Sequence, residues 1–236
     1  MQICEIPYDS ATAADNMAID AVMLDFGCRM EEVMWRLYGW DEPSVTFGYS
    51  QEWEWVRSAI PGFTGAMVRR MTGGGIVDHR HDLTYALSIA PGHPFYRRPA
   101  TDLYSGLHQQ ITAILLDLGF KAELAPCQQP CDESAPREVH GICFEAPEPH
   151  DVVIQSTRTK LAGAAMKRNQ SGVLIQGSIS MNLLSGLSRK NFGSAFGSLL
   201  ASWLGCSRSN FTGTLALDDL LRERKRYSSA EWNRKR

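Results

Sequence analysis

The apolar positions change period several times along the chain, and those changes predict its elements. Residues 2–6 read as a short strand. Thr12 followed by Asp15 has the spacing of a capping box. Met17, Ala18, Ala21, Val22 and Leu24 then lie on one helical stripe that runs to about Gly27. Val33, Trp35 and Leu37 alternate with Met34, Arg36 and Tyr38, which is the period of a strand, and residues 39–43 turn the chain into a second strand at 44–48. Trp53 and Trp55, close behind, read as core or rim packing. Leu83, Tyr85, Leu87 and Ile89 alternate with Thr84, Ala86, Ser88 and Ala90, predicting a strand with one buried face. After a loop at 91–99, Asp102 opens a helix with Leu103, Leu107, Ile111, Ile114, Leu115 and Leu118 on one face, and Gly119 stops it.

Residues 125–150 break the pattern. They are proline-rich, mixed in charge and without periodicity, and a loop of that length inside a compact domain is usually functional or mobile. Residues 151–155 and 159–167 then predict a hairpin around Ser156-Thr157-Arg158, with a third strand at 173–181. Residues 191–204 and 215–226 have helical patterning, and Ser228 with Glu231 could cap a last short helix. No regular βαβ alternation appears. The order implies an α+β fold, a mixed and largely antiparallel sheet with helices packed on it.

Composition narrows this picture. At 236 residues the chain is expected to be one domain, 1–236, with a sizeable core and no C-terminal accessory domain. A net charge of −2 argues against a general nucleic-acid coat, and no run approaches the roughly 18 apolar residues of a membrane span. Neither nucleic acid nor membrane is therefore expected as a partner. The start, Met1-Gln2-Ile3-Cys4-Glu5, lacks the basic and apolar parts of a signal peptide, so the expected location is cytoplasmic. Cys4, Cys28, Cys127, Cys131, Cys143 and Cys206 are accordingly expected as reduced thiols.

The candidate chemistry lies in two stretches. The first is Arg69-Arg70-Met71-Thr72-Gly73-Gly74-Gly75-Ile76-Val77-Asp78-His79, a glycine loop between strand-like ends with Arg70 at its lip. Three glycines permit positive φ and close backbone approach, so N–H groups can line a carbonyl or an anion. A plain tight hairpin is the alternative. The second is Lys160-Leu161-Ala162-Gly163-Ala164-Ala165, one lysine before small residues that leave room beside a strand. A strand lysine in isolation is usually solvated. His79 has a structural reading as well as a chemical one. Asp78 and Asp82 carry no metal-site spacing.

Arg-Arg-x-Thr-Gly-Gly-Gly-x-Val-x-His at 69–79 and Lys-x-x-Gly-x-Ala at 160–165 resemble the motifs of the lipoate-protein ligase and octanoyltransferase family. The resemblance extends to Trp35-Arg36-Leu37-Tyr38-Gly39-Trp40, Phe47-Gly48-Tyr49-Ser50-Gln51, Gly172-Val173-Leu174 and Gln176-Gly177-Ser178, and Tyr227 to Asn233 looks like the end of the family's catalytic domain. It implies the fold shared with biotin-protein ligases and the transfer of an octanoyl or lipoyl group to a lysine of a lipoyl carrier domain, in a lipoate-dependent dehydrogenase subunit or a glycine-cleavage carrier protein. Lys160 is then the residue at the acyl carbonyl or phosphate. Arg70, Thr72, Gly73, Gly74, Gly75, Val77, His79, Gly163, Ala164 and Ala165 become the substrate-binding set. Gly141-Ile142-Cys143-Phe144-Glu145-Ala146-Pro147 resembles the segment of octanoyltransferases that use a cysteine, with acyl carrier protein as donor. That makes Cys143 a candidate nucleophile and implies no resident cofactor. Gly75 instead resembles the ligases, which use ATP and magnesium, because the cysteine transferases tend to carry arginine there. Two further alternatives stay open. Cys127, Cys131, His140 and Cys143 form a loose set of possible zinc ligands, although no metal is expected, and the chain could be a non-catalytic carrier-binding module.

Overall fold

A computed structural model of the chain describes residues 1–126, 141 and 147–235. The main sheet has eight strands in the order β11-β1-β2-β6-β10-β9-β8-β7. In chain order these are β1 (Gln2–Ala11), β2 (Val33–Trp40), β6 (Asp82–Ile89), β7 (Ala122–Leu124), β8 (Val152–Ile154), β9 (Lys160–Asn169), β10 (Gly172–Ser180) and β11 (Ser207–Asn210). Strand β1 runs parallel to β2 and β11, and every other neighbouring pair is antiparallel. A second, three-stranded sheet has β3 (Ser44–Phe47) in the middle, parallel to β4 (Ala66–Arg69) and antiparallel to β5 (Val77–Asp78).

Strand alternation sorts the main sheet's two faces. Val33, Trp35 and Leu37 of β2 and Leu83, Tyr85, Leu87 and Ile89 of β6 join a core with α3 (Ala100–Asp117) and α4 (Arg189–Leu204). Met34, Tyr38 and Ala86 point the other way, against Met23 and Leu24 of α1 (Ala13–Met30). Central position explains why β6 is buried on both faces rather than one. Thr12 caps α1 as its spacing predicts, accepting from the Asp15 N–H at 3.3 Å. The 151–167 hairpin also forms, as β8 and β9.

Several elements depart from the sequence reading. The glycine segment does join two strands, as its sequence implies, and only the alternative of a tight hairpin falls, because β4 and β5 lie on opposite sides of β3 and never pair with each other. Trp53 and Trp55 belong to a helix that the apolar pattern hides, α2 (Trp53–Ala59), which packs on the small sheet. After α5 (Leu217–Ser228), the short α6 (Ala230–Asn233) is capped by Ser229, whose hydroxyl accepts from the Trp232 N–H at 3.1 Å, and not by Ser228. No described helix is long and apolar enough to cross a membrane.

Candidate active site

The glycine loop stands between the two sheets and is fastened largely by its own arginine. Arg70 Nη2 donates to the carbonyls of Gly73 at 2.8 Å and Gly75 at 2.9 Å, while Nη1 donates to Thr46 Oγ1 at 2.9 Å. The loop's backbone is thereby held in one shape before any ligand arrives. Gly74 has φ +83°, and a Cβ added at Gly48 would overlap the Gly74 carbonyl, so both positions require glycine. Thr72 is buried away from the cavity and donates to Gln176 Oε1 at 2.8 Å, tying the loop to β10.

Across from the loop, Gly163, Ala164 and Ala165 of β9 pair with Ser178, Gly177 and Gln176 of β10. Short side chains on both strands leave an open cavity with about 430 Å³ of empty space, solvent at its mouth included. Arg70, Gly74, Val77 and His79 line its loop side, and Met17, Tyr38 and Trp40 add apolar surface. A mostly apolar concavity with a few placed polar groups suits a small apolar ligand with one polar end. Of the expected substrate-binding residues, Arg70, Gly74, Val77, His79, Gly163, Ala164 and Ala165 line the cavity, whereas Thr72, Gly73 and Gly75 shape the loop behind it.

His79 is held on three sides. Its Nδ1 lies 2.7 Å from Asp82 Oδ2, its Nε2 lies 2.7 Å from Thr46 Oγ1, and its ring stacks on Trp40 at 3.8 Å between centroids. The carboxylate makes Nδ1 the donor, and the Thr46 hydroxyl, already accepting from Arg70, can donate to Nε2. His79 therefore links Asp82 to the loop arginine while presenting its ring to the cavity.

Lys160 is a buried cation, not a solvated strand lysine. Its Nζ pairs with Asp151 Oδ2 at 2.7 Å, with the two side chains 3% and 0% exposed. It stands beside the cavity rather than among its lining residues. A Cβ built on Gly163 would come within 2.5 Å of Lys160 Cε and 2.8 Å of Nζ, so the missing side chain of Gly163 is what opens the cavity wall toward the ammonium.

Arg69 does different work from Arg70. It is fully buried and donates to the carbonyls of Tyr49 (2.8 Å), Gln51 (2.6 Å), Trp232 (3.2 Å) and Asn233 (3.0 Å), fastening α6 behind the loop. Tyr38 and Trp40 lie in a stretch that resembles the family, whereas Met17, Thr46, Thr84 and Asp151 carry no such signal. Their types match ordinary strand or helix positions, and only the topology brings them together. Gln176, Gly177 and Ser178 carried a signal, since they lie in a stretch that resembled the family. Cys143, and the Cys127, Cys131, His140 and Cys143 set, lie outside the described residues. Two described neighbours of the Cys143 segment touch the site. The Gly141 carbonyl accepts from the Ile76 N–H of the glycine loop at 3.2 Å, and the Glu148 N–H donates to Asp151 Oδ2 at 2.7 Å. Among the described residues, no group of three or more His, Cys, Asp or Glu side chains could hold a metal.

The chain belongs to the lipoyl protein ligase A/B catalytic domain family, which it matches over residues 12–200. It is 32% identical over 176 residues to octanoyltransferase LipM of Geobacillus kaustophilus, a match that covers 72% of this chain and 62% of that protein. It is 31% identical over 177 residues to octanoyltransferase LipM of Kyrpidia tusciae, covering 73% and 63%. The chain thus matches under two thirds of the length of these curated relatives. Among solved structures, the bi-partite lipoate protein ligase of Thermoplasma acidophilum, from an archaeal lipoylation system, superposes with a TM-score of 0.71 at 18% identity, covering 99% of this chain and 96% of that one.

Proposed function

We propose that the protein transfers an octanoyl or lipoyl group to the ε-amine of a lysine on a lipoyl carrier domain. The observation that carries this reading is the apolar slot between Gly74 and Gly163 to Ala165, with the buried ammonium of Lys160 behind Gly163 at its edge. The slot takes the hydrocarbon chain, and Lys160 and the loop N–H groups stabilise the charge that develops on the acyl oxygen. Gly163 and Ala164 keep the wall flat. Arg70 keeps the loop in register, and His79 holds Arg70 through Thr46.

Cys143 is the proposed nucleophile. Its thiolate attacks the carbonyl of an acyl carrier protein thioester, forming a new C–S bond as the carrier thiolate leaves and takes up a proton. The acceptor lysine, as free amine, then attacks the enzyme thioester. An amide forms, the Cys143 sulfur departs, and the amine proton passes to solvent or to that sulfur. Gly141, bonded to the glycine loop, and Glu148, bonded to the partner of Lys160, flank the segment that carries Cys143, which supports this assignment. The relatives named octanoyltransferase support the acyl group, and the Thermoplasma ligase, analysed with its E2 lipoyl domain, supports the acceptor. The route needs no resident cofactor and suits a cytoplasmic protein. Lipoate with ATP and magnesium belongs to the alternative ligase reading, which Gly75 favours.

Intact-mass measurement with a lipoyl domain tests the proposal. Octanoyl-carrier protein alone should add one octanoyl mass to the enzyme, released by neutral hydroxylamine, and then to the acceptor domain. Cys143→Ser should lose both. Modification that instead requires ATP and free lipoate, undiminished in Cys143→Ser, would replace the transferase reading by the ligase one.

A further inference from the structure

The buried cation beside the slot has an anchor of its own. Asp151 is fully buried, and each of its carboxylate oxygens is engaged. Oδ2 receives Lys160 Nζ and the Glu148 N–H, both at 2.7 Å, while Oδ1 accepts the hydroxyl of Tyr104. Tyr104 comes from α3, far from β9 in sequence, and its oxygen has a second partner, the Ala164 N–H at 3.3 Å. That N–H lies where the sheet runs out. Pairing of β8 with β9 stops at Val152 opposite Ala162, two residues short of Ala164. A half-buried N–H beyond the end of a ladder still needs an acceptor, and here the acceptor is the tyrosine that also holds Asp151.

We infer that Tyr104 and Asp151 form a buried anchor that sets the position of Lys160 behind Gly163, with Tyr104 the positioning residue that ties this anchor to the slot wall at Ala164. The inference rests on the acyl-transfer reading for its consequence, and on geometry alone for the anchor itself. A stability role explains the arrangement poorly. A buried ion pair is rarely more stabilising than apolar residues of the same volume, and this one sits behind Gly163, where the wall has no side chain between it and the cavity. The Tyr104 hydroxyl also keeps its proton. Burial first, and the Asp151 charge next, push its pKa far above the ordinary tyrosine value, so it stays a donor to Asp151 at any working pH.

Tyr104→Phe removes one oxygen and little else. In octanoyl transfer, it should lower kcat by up to ~100-fold, the scale of a misplacement of about 1 Å, and leave KM for the acyl donor nearly unchanged. A second readout needs no turnover. The Lys160 amine, labelled by an amine-acylating N-hydroxysuccinimide ester and followed by peptide mass, should react slowly in the wild type and faster in Tyr104→Phe and in Asp151→Asn. Tyr96→Phe, which loses a hydrogen bond to the Asn169 carbonyl, serves as the control and should change neither readout. Unchanged kcat and unchanged labelling in Tyr104→Phe would reduce Tyr104 to a strand cap and overturn the inference. A raised KM with unchanged kcat and labelling would overturn it too, leaving Tyr104 to shape the slot. Should Tyr104→Phe fail to fold, labelling of Asp151→Asn decides, and a rate equal to wild type sinks the anchor. If the wild type transfers no acyl group, the acyl-transfer reading fails, and the labelling rates still judge the anchor.

Discussion

Removing the Lys160 side chain does two things at once. It takes away the cation behind Gly163, and it leaves the buried Asp151 carboxylate without its opposite charge. Breaking a buried pair from one side costs roughly 3–5 kcal/mol, so Lys160→Ala should lower the melting temperature as well as the rate. Lys160→Met combined with Asp151→Asn removes both charges and should recover most of the melting temperature. Carrier modification in that folded double variant should stay down by about a hundredfold to a thousandfold, the loss typical of one oxyanion donor. Near-normal turnover there would take Lys160 out of the mechanism. Gly163→Ala probes the same contact from the other side. The new methyl would collide with Lys160 Cε, and because the ion pair fills the space behind it, the lysine must move. Activity should fall with the fold intact, read as lost kcat beside an unchanged circular dichroism spectrum. Full activity would mean that Lys160 does not reach the slot across Gly163.

At the scale of elements, the adjacent arginines show what sequence could and could not carry. Arg69 ends β4 and Arg70 opens the loop, and the motif marked Arg70 as the better candidate for ligand contact. What Arg69 does instead was not legible, since its partners lie near positions 49–51 and 232–233. Long-range contacts of this kind leave no local pattern. The strands β2, β6, β9 and β10 were legible because alternation is local, and so was the cap of α1. Helix α2 was not, because two tryptophans so close together do not form a long apolar stripe. Tyr104 was missed for the same reason as the Arg69 partners, being 56 positions from Lys160. The Arg69 clamp makes its own prediction. Arg69→Ala would strip the donor from four buried or half-buried carbonyls and loosen both α6 and the turn after β3. At about 1 kcal/mol per hydrogen bond, the loss is on the order of 4 kcal/mol in denaturant titration. A change under about 0.5 kcal/mol, the range of ordinary surface substitutions, would mean that α6 docks without it.

Across the whole molecule, α3 joins the core layer to the site, because it supplies Tyr104 to the anchor and His108 one turn further on. His108 is fully buried. Its Nδ1 donates to the His150 carbonyl at 2.8 Å, and its Nε2 lies 3.3 Å from the Tyr85 hydroxyl, an arrangement that fits the neutral ring. Burial is the main reason its pKa falls to about 4, and the Lys160 and His150 charges add to that, against the pull of Asp151 and the His150 carbonyl. A histidine kept neutral in the fold binds fewer protons than the unfolded chain, whose histidine titrates near 6.5. Stability is therefore full above that value and declines as pH falls from about 6.5 toward 4, by on the order of 3 kcal/mol from this residue. His93 is shifted in the same direction, again chiefly by burial, so it should contribute to the same slope. His108→Gln keeps an acceptor and a donor on the side chain but cannot titrate. Unfolding free energies measured by denaturant between pH 7 and 4.5 should fall less steeply in that variant than in the wild type, with the remaining slope due to His93 and the carboxylates. Equal slopes would show that His108 is protonated in the fold as readily as in the open chain, against its burial and the neighbouring Lys160 charge.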